Sequence, residues 1–528
     1  MRTEHAHISS RVGTVSFFTF LSRIMGLLRD AVLAWAFGAT RVADAFYVAF
    51  RIPNLLRRLV AEGALTVAFV PVYTEHLRRS REDGRQAASV VFTYLSMFLA
   101  ALAVTGVLAA PLLVKLIAWG FSMEPAKFEL TVLLTRIMFP YIALISLVAL
   151  SMGILNSLKH FAAPAASPIL LNLGIICGAV FLERYFSMPA QGVAIGVILG
   201  GVAQLALQIP FLAREGMLPR LNFNWRHPAL RGLLALMIPS AFGAAVYQFN
   251  VVVVTFLASF LPDGSVSYLW YSDRVSEFSL GIFSIAVATA TLPTLSDHAA
   301  ERDIESFKGT LGYSLRLAFM IDIPASIGLF VLALPIVRVL FMRGEFTPDA
   351  ALATAATLTF FAFKIPFVSG VRNLVPAFFA LKDAKTPVAV AAFAVVVNAL
   401  AALALMGRLS YRGLAAALVI SSAVNFLALA WLLRRKIGRL GLSSIMGTVA
   451  KSAAAGAVMG GVLMGALWLY PFNIGAPLWV SALQLLAMVA VGAGVYLGII
   501  RIICPVEFRS LAGMLRRRVG PSPASSRP

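Results

Sequence analysis

The chain has 528 residues, of which 60% are hydrophobic and only 13% charged, and its mean hydropathy is +0.87. That is about half the roughly 25% of charged residues in an average soluble domain. It is too little to cover a water-exposed surface, so an ordinary cytosolic enzyme and a disordered chain are both excluded. The 44 Lys and Arg outweigh 23 Asp and Glu by +21, but the cations lie between apolar runs. They read as loops facing the cytoplasm and anionic lipid headgroups, with no nucleic acid as partner.

The first apolar span covers about 12–38. It is too long for a signal peptide, carries Arg23, Arg29 and Asp30, and lacks a small-residue cleavage site, so it reads as an uncleaved helix. Further spans follow at about 43–75, 88–117, 130–158, 161–183, 190–213, 230–261, 267–296, 309–341, 350–380, 386–407, 413–433, 450–470 and 477–501. Ser452 to Ile500 holds no charged residue, and Pro471-Phe472-Asn473-Ile474-Gly475 divides it in two. Continuous apolar runs exclude a β-barrel, whose strands alternate. The expectation is an all-α polytopic membrane protein with about 14 transmembrane helices.

Loop charges orient these spans. With the N-terminus in the cytoplasm, the inner loops hold Arg78, Arg79, Arg81 and Arg85, then Lys159, then Arg214, Arg220, Arg226 and Arg231. Arg302 and Lys308, Lys382 and Lys385, and Arg434, Arg435, Lys436 and Arg439 follow on the same side. The outer loops hold only Arg41, Lys127, Arg184, Arg343, Arg408 and Arg412. The asymmetry places both termini in the cytoplasm.

The two halves echo each other at a spacing of about 222–226 residues. Pro71-Val72-Tyr73-Thr74-Glu75-His76 resembles Pro293-Thr294-Leu295-Ser296-Asp297-His298; Pro140 matches Pro366, and Asn172 matches Asn398. An even number of spans separates the copies, which predicts two pseudo-symmetric six-helix lobes in parallel, as in transporters with a site between repeats. The expected division is an N-terminal lobe at 1–220, a second lobe at 221–440, two extra helices at 441–505 and a basic cytoplasmic tail at 506–528.

Charges inside the spans are the candidate functional groups, because each is costly in lipid unless it faces a cavity or a partner. The first span has Arg23, Arg29 and Asp30; the second has Asp44, Arg51, Arg57, Arg58 and Glu62; the eighth has Asp273, Arg274 and Glu277; the tenth has Lys364 and Arg372. Ideal helical phase puts Asp44, Arg51, Asn54, Arg58 and Glu62 on one stripe with Arg57 off it, although Pro53 disturbs that phase. Ion pairing, for instance Arg58 with Glu62, is one reading of these charges. The cations outnumber the acids, and the surplus suits an anionic substrate, with arginine forks matched to phosphate oxygens. Asp322 is a lone acid in the ninth span, read as a hydrogen-bonding group. Cys177 and Cys504 read as packing residues. The histidines show no metal-ligand spacing, and no nucleophile motif or glycine-rich phosphate loop is present, so no metal, cofactor or enzyme activity is expected.

Ser22-Arg23-Ile24-Met25-Gly26-Leu27-Leu28-Arg29-Asp30, the run from Asp44 through Arg51-Ile52-Pro53-Asn54 to Arg57-Arg58, Ala61-Glu62-Gly63-Ala64 and Ala68-Phe69-Val70-Pro71-Val72 carry a family resemblance. Tyr271-Ser272-Asp273-Arg274 and Lys385-Thr386-Pro387 extend it. Together they resemble the MurJ/MviN family of lipid II flippases, in the multidrug/oligosaccharidyl-lipid/polysaccharide exporter superfamily. The resemblance implies translocation of undecaprenyl-diphosphate-linked peptidoglycan precursor to the outer leaflet by alternating access, in the bacterial inner membrane, beside the cell-wall synthesis machinery. It carries functional roles, which read as substrate binding, to Arg23, Arg29, Asp44, Arg57 and Arg274; the neighbouring intramembrane charges Asp30, Arg51, Arg58, Glu62, Asp273 and Arg372 are expected to support them. It favours Arg57 where periodicity favours Arg58. It also makes the last two spans a groove for the polyprenyl tail. The seventh and eleventh spans lack the acids with which some members are thought to bind sodium. The alternatives are an exporter of another lipid-linked oligosaccharide or of a drug, a polytopic polyprenyl-phosphate enzyme, and a non-transporting scaffold.

Overall fold

A computed structural model describes residues 2–59, 65–439, 441–505, 507 and 508. Among the described residues there are helices and no strands. The first half contains α1 (Arg2–Phe37), α2 (Arg41–Arg57), α3 (Thr66–Arg79), α4 (Arg81–Leu108), α5 (Ala110–Ile117), α6 (Pro125–Met138), α7 (Tyr141–Ser157), α8 (Ala162–Cys177) and α9 (Pro189–Arg214). The second contains α10 (Pro228–Ala258), α11 (Ser265–Ala300), α12 (Ile304–Val331), α13 (Ala333–Phe341), α14 (Pro348–Ala380), α15 (Lys385–Leu409), α16 (Tyr411–Ile437), α17 (Leu442–Leu469) and α18 (Leu478–Ile503).

Ten helical segments among the described residues are long and apolar enough to cross a membrane. Several expose large apolar side chains, such as Phe393, Leu400 and Leu403 on α15 and Leu483 and Leu486 on α18. A surface of this kind is stable against lipid and unfavourable against water. The spans expected at 12–38, 43–75, 230–261 and 267–296 fall on α1, on α2 with α3, on α10 and on α11. Each of these stretches includes residues outside the described side chains.

The chain forms two compact units, Met1–Trp270 with Phe341–Ala350, and Tyr271–Leu340 with Ala351–Pro528. In the first, α2 packs on α6 and α7, α1 on α8, and α10 on α3 and α4. Phe69, Tyr73, Val91, Leu150, Ile154, Leu212 and Leu233 form one of its buried clusters. Glycines set the crossing of α8 and α9. A Cβ on Gly196 of α9 would lie 2.4 Å from the Gly174 carbonyl oxygen of α8, and one on Gly178 would lie 2.7 Å from the Gly192 oxygen. The four-residue spacing of Gly174 and Gly178, and of Gly192, Gly196 and Gly200, puts the small residues of each helix on one face. Gly38, at φ +62, turns the chain between α1 and α2 where a Cβ would strike the Glu345 carbonyl.

In the second unit α15 packs on α16, and α17 packs on both α12 and α18. Leu317 and Met320 of α12, Met459 and Leu463 of α17, and Met488 and Tyr496 of α18 share a buried cluster. Tyr496 donates its hydroxyl proton to the Met320 carbonyl. Arg338 of α13 holds the α17–α18 turn by donating to the carbonyls of Ile474 and Ala476 at 2.9 and 3.0 Å.

Candidate functional site

Pro53 sits inside α2, which widens into a π-type turn at Arg58 and Leu59. Proline removes a backbone donor, and a wider turn rotates every later side chain relative to an ideal helix. The stripe from Asp44 to Arg58 therefore lies on regular helix, and the phase changes only beyond Arg58. Glu62, the expected partner of Arg58, lies outside the described residues, and Arg58 has no carboxylate partner among them.

On α1, Arg29 donates Nε and Nη2 to Asp30 Oδ1 at 3.0 and 2.7 Å, and Nη1 to Asn172 Oδ1 on α8 at 3.1 Å. Asn172 in turn donates to the Ser22 carbonyl at 3.3 Å. Asp30 is buried and Arg29 nearly so. The guanidinium is thus held in place with its charge balanced. Arg23, half-buried one and a half turns earlier, makes no hydrogen bond or ion pair among the described residues.

Asp44 is 1% exposed near the start of α2. Its Oδ2 is 3.2 Å from Lys127 Nζ and accepts the Gly264 amide at 2.8 Å. Its Oδ1 accepts the Ser267 amide and hydroxyl at 2.9 and 2.7 Å. The carboxylate therefore caps the first turn of α11 from another helix, satisfying free amides at the positive end of the helix dipole. Lys127, placed in an outer loop by the sequence, is buried at the start of α6. It also bonds Asp263 Oδ1 at 2.7 Å and lies 4.2 Å from the Phe121 ring centre. Arg41 reaches Asp263 at 3.3 Å and Glu124 at 3.0 Å. Arg51 donates to the Thr255 hydroxyl of α10 and lies 5.3 Å from the centre of the Trp270 ring, on which Tyr47 stacks at 4.7 Å. Arg57 is half-buried.

In the second unit Arg274 pairs with Glu277 at 3.0 Å on the same face of α11, and Asp273 pairs with Lys364 of α14 at 2.8 Å. Lys364 also sits 4.3 Å from the Phe361 ring centre. Arg372 is half-buried on α14, and its Nη1 has no hydrogen-bond partner among the described residues. Asp322 is buried on α12. Sequence reasoning did not assign roles to Asn172, Lys127, Thr255 and Ser267. Asn172 was visible only as one half of a repeated asparagine.

A family model described as "Lipid II flippase MurJ" matches residues 33–483. Asp44, Arg57 and Arg274 fall within that range, and Arg23 and Arg29 precede it. A protein of Burkholderia cenocepacia named lipid II flippase MurJ is 38% identical over 428 residues, 80% of this chain and 83% of the relative. One of Vibrio cholerae, named probable lipid II flippase MurJ, is 38% identical over 499 residues, 92% of this chain and 94% of the relative. A solved structure described as lipid II flippase MurJ in an inward closed conformation superposes with a TM-score of 0.79 at 27% identity, over 94% of this chain and 99% of that one. An inward-facing multidrug MATE transporter shares the fold at a TM-score of 0.66 and 17% identity, over 80% of this chain and 96% of that one.

Proposed function

The chain belongs to the MurJ family of lipid II flippases, and on that premise we propose that its intramembrane arginines bind the diphosphate of the lipid-linked substrate. It is a multi-pass protein of the bacterial inner membrane and a transporter of lipid II for cell-wall synthesis. The family match over 33–483 carries this reading. The substrate is undecaprenyl-diphosphate-linked muropeptide, taken from the cytoplasmic leaflet to the outer leaflet by alternating access. Both termini are cytoplasmic, α17 and α18 accommodate the polyprenyl tail, and the cell-wall synthesis machinery receives the product.

Arg23, Arg29, Arg57 and Arg274 are the diphosphate ligands. Arginine matches paired phosphate oxygens with parallel donors, and its charge is worth more in a dry cavity than in water. Arg23 is available as it stands. Arg29 and Arg274 reach phosphate by exchanging a carboxylate for it, so Asp30 and Glu277 hold each guanidinium in place and balance its charge until substrate arrives. Asp44 acts one step away: it fixes the first turn of α11, and Arg274 lies seven residues beyond Ser267 on that helix, about 10 Å along its axis.

The test is rescue of cells depleted of their own lipid II flippase. The chain should sustain wall synthesis, and Arg23→Ala, Arg29→Ala and Arg274→Ala should each abolish rescue while still inserting in the membrane. Growth with all three removed together would overturn the assignment.

A further inference from the structure

The Asp44 cluster caps the first turn of α11, and a different cluster of polar groups stands at the start of α10. His76 stands in the last turn of α3, Asp83 in the first turn of α4, and His227 immediately before α10. His76 Nδ1 is 2.9 Å from Asp83 Oδ2, and His227 Nε2 is 3.9 Å from Asp83 Oδ1. The ring centres are 5.1 Å apart. One potential ligand atom from each residue lies within 4.8 Å of the other two. Both histidines are more than nine-tenths buried, whereas the Asp83 side chain is 27% exposed.

We propose that His76, Asp83 and His227 form a binding site for a divalent transition-metal cation of the zinc class. Two imidazoles and one carboxylate are a borderline-soft set that favours zinc or cobalt over magnesium or calcium, which want oxygen ligands throughout. Bonds of about 2.0–2.2 Å in a tetrahedral shell put ligand atoms roughly 3.3 Å apart. His76 Nδ1 and Asp83 Oδ2 already approach that closely, and His227 Nε2, 3.9 Å from Asp83 Oδ1, has to move closer. The exposed side of Asp83 leaves the fourth position to water. Surface acids alone would not make such a site; here two buried rings from separate helices converge on one carboxylate.

Metal binding requires both rings neutral and fixes their tautomers. His227 Nδ1 accepts the Ala229 amide at 3.2 Å, so the neutral free ring carries its proton on Nε2, facing Asp83. Metal at Nε2 moves that proton to Nδ1 and gives up the long capping bond. Metal at His76 Nδ1 likewise moves that ring's proton to Nε2. In exchange the cation ties the start of α10 to the corner between α3 and α4.

The experiment uses tag-free, full-length protein in detergent, stripped by chelator and titrated with Co²⁺ and Zn²⁺. One equivalent of Zn²⁺ should bind by equilibrium dialysis, and Co²⁺ should give the intense visible bands of a low-coordinate site. His76→Gln and His227→Gln should each weaken binding at least tenfold, and added Zn²⁺ should raise the melting temperature of the parent only. His227→Cys keeps a ligand and should add a thiolate charge-transfer band to the Co²⁺ spectrum, which reports on the site even if the glutamine variants fold poorly. No stoichiometric binding, as from a purely proton-linked cluster, would overturn the proposal. So would weak octahedral bands, or binding unchanged in the glutamine variants.

Discussion

Buried charge in this protein is paired across long stretches of sequence. Lys127 meets Asp44 from 83 residues away, and Arg29 meets Asn172 from 143. Removing one partner from such a pair leaves an uncompensated charge in a poor solvent, which costs about 3–5 kcal/mol, more than the intact pair contributes. Lys127→Met should therefore lower the melting temperature in detergent substantially, and adding Asp44→Asn should restore much of it. An unchanged melt for the single variant would contradict the pairing. Arg29→Lys should also fail in a flipping assay by at least tenfold despite its retained charge. One ammonium cannot replace three donors directed at Asp30 and Asn172. The sequence revealed these charges because an ion in an apolar run is conspicuous. It hid those partners that lie on other helices, such as Lys127 for Asp44 and Lys364 for Asp273. Lys127 looked like a loop cation for this reason, and the two histidines that meet Asp83 showed no ligand spacing because 151 positions separate them.

Helices were legible wherever an apolar run was long and unbroken, as in α15 and α18, and their packing faces were not. The α8–α9 crossing depends on glycines that a hydropathy profile counts only as weakly apolar. Gly196→Ala should destabilise the protein by about 1–3 kcal/mol, since the new methyl meets backbone that cannot yield. Gly494→Ala on α18 is the control: nothing lies within 4 Å of its Cβ position, so it should be neutral or stabilising by up to about 1 kcal/mol. Opposite signs for the two melting shifts are the expected result. The repeat's turn between α14 and α15 has a function in packing too. Lys436 of α16, with the Thr386 amide, holds the Asp383 carboxyl down to about 2 from its ordinary 3.8. A depressed carboxyl stabilises the fold above its unfolded value and loses that contribution as pH falls from 3.8 through about 2. The pair is partly exposed, so its contribution is about 1 kcal/mol or less. Asp383→Asn should lower the melting temperature by a constant amount between about pH 5 and 8, and the difference should shrink under acid. A gap that widened toward acid would show the opposite sign.

Across the whole chain, topology and energy coupling follow from where charge sits. In a background lacking Cys177 and Cys504, an impermeant thiol reagent should label Asn473→Cys from outside and spare Glu301→Cys, both at exposed positions; the reverse pattern would refute cytoplasmic termini. The arginine surplus is smaller in the structure than in the sequence, because Arg29, Arg274, Lys364 and Lys127 each have a carboxylate at hand. Arg23, Arg58 and Arg372 have none among the described residues. One elementary charge crossing 100 mV changes the energy by about 2.3 kcal/mol, so even a fractional crossing by a few cations biases a conformational equilibrium. With the cytoplasm negative, the unloaded protein should be drawn toward an inward-open state, where the lipid-linked substrate would be collected. Bound diphosphate should then cancel the surplus and let the loaded protein turn outward with little electrical penalty. Sodium is expected to play no comparable part, since α10 and α15 contain no acidic residue. Flipping in spheroplasts should therefore slow when valinomycin and potassium collapse the potential, and it should be unchanged when sodium is replaced by choline. Full activity without a potential, or strict dependence on sodium, would show that the arginines are already neutralised and that another gradient drives the cycle.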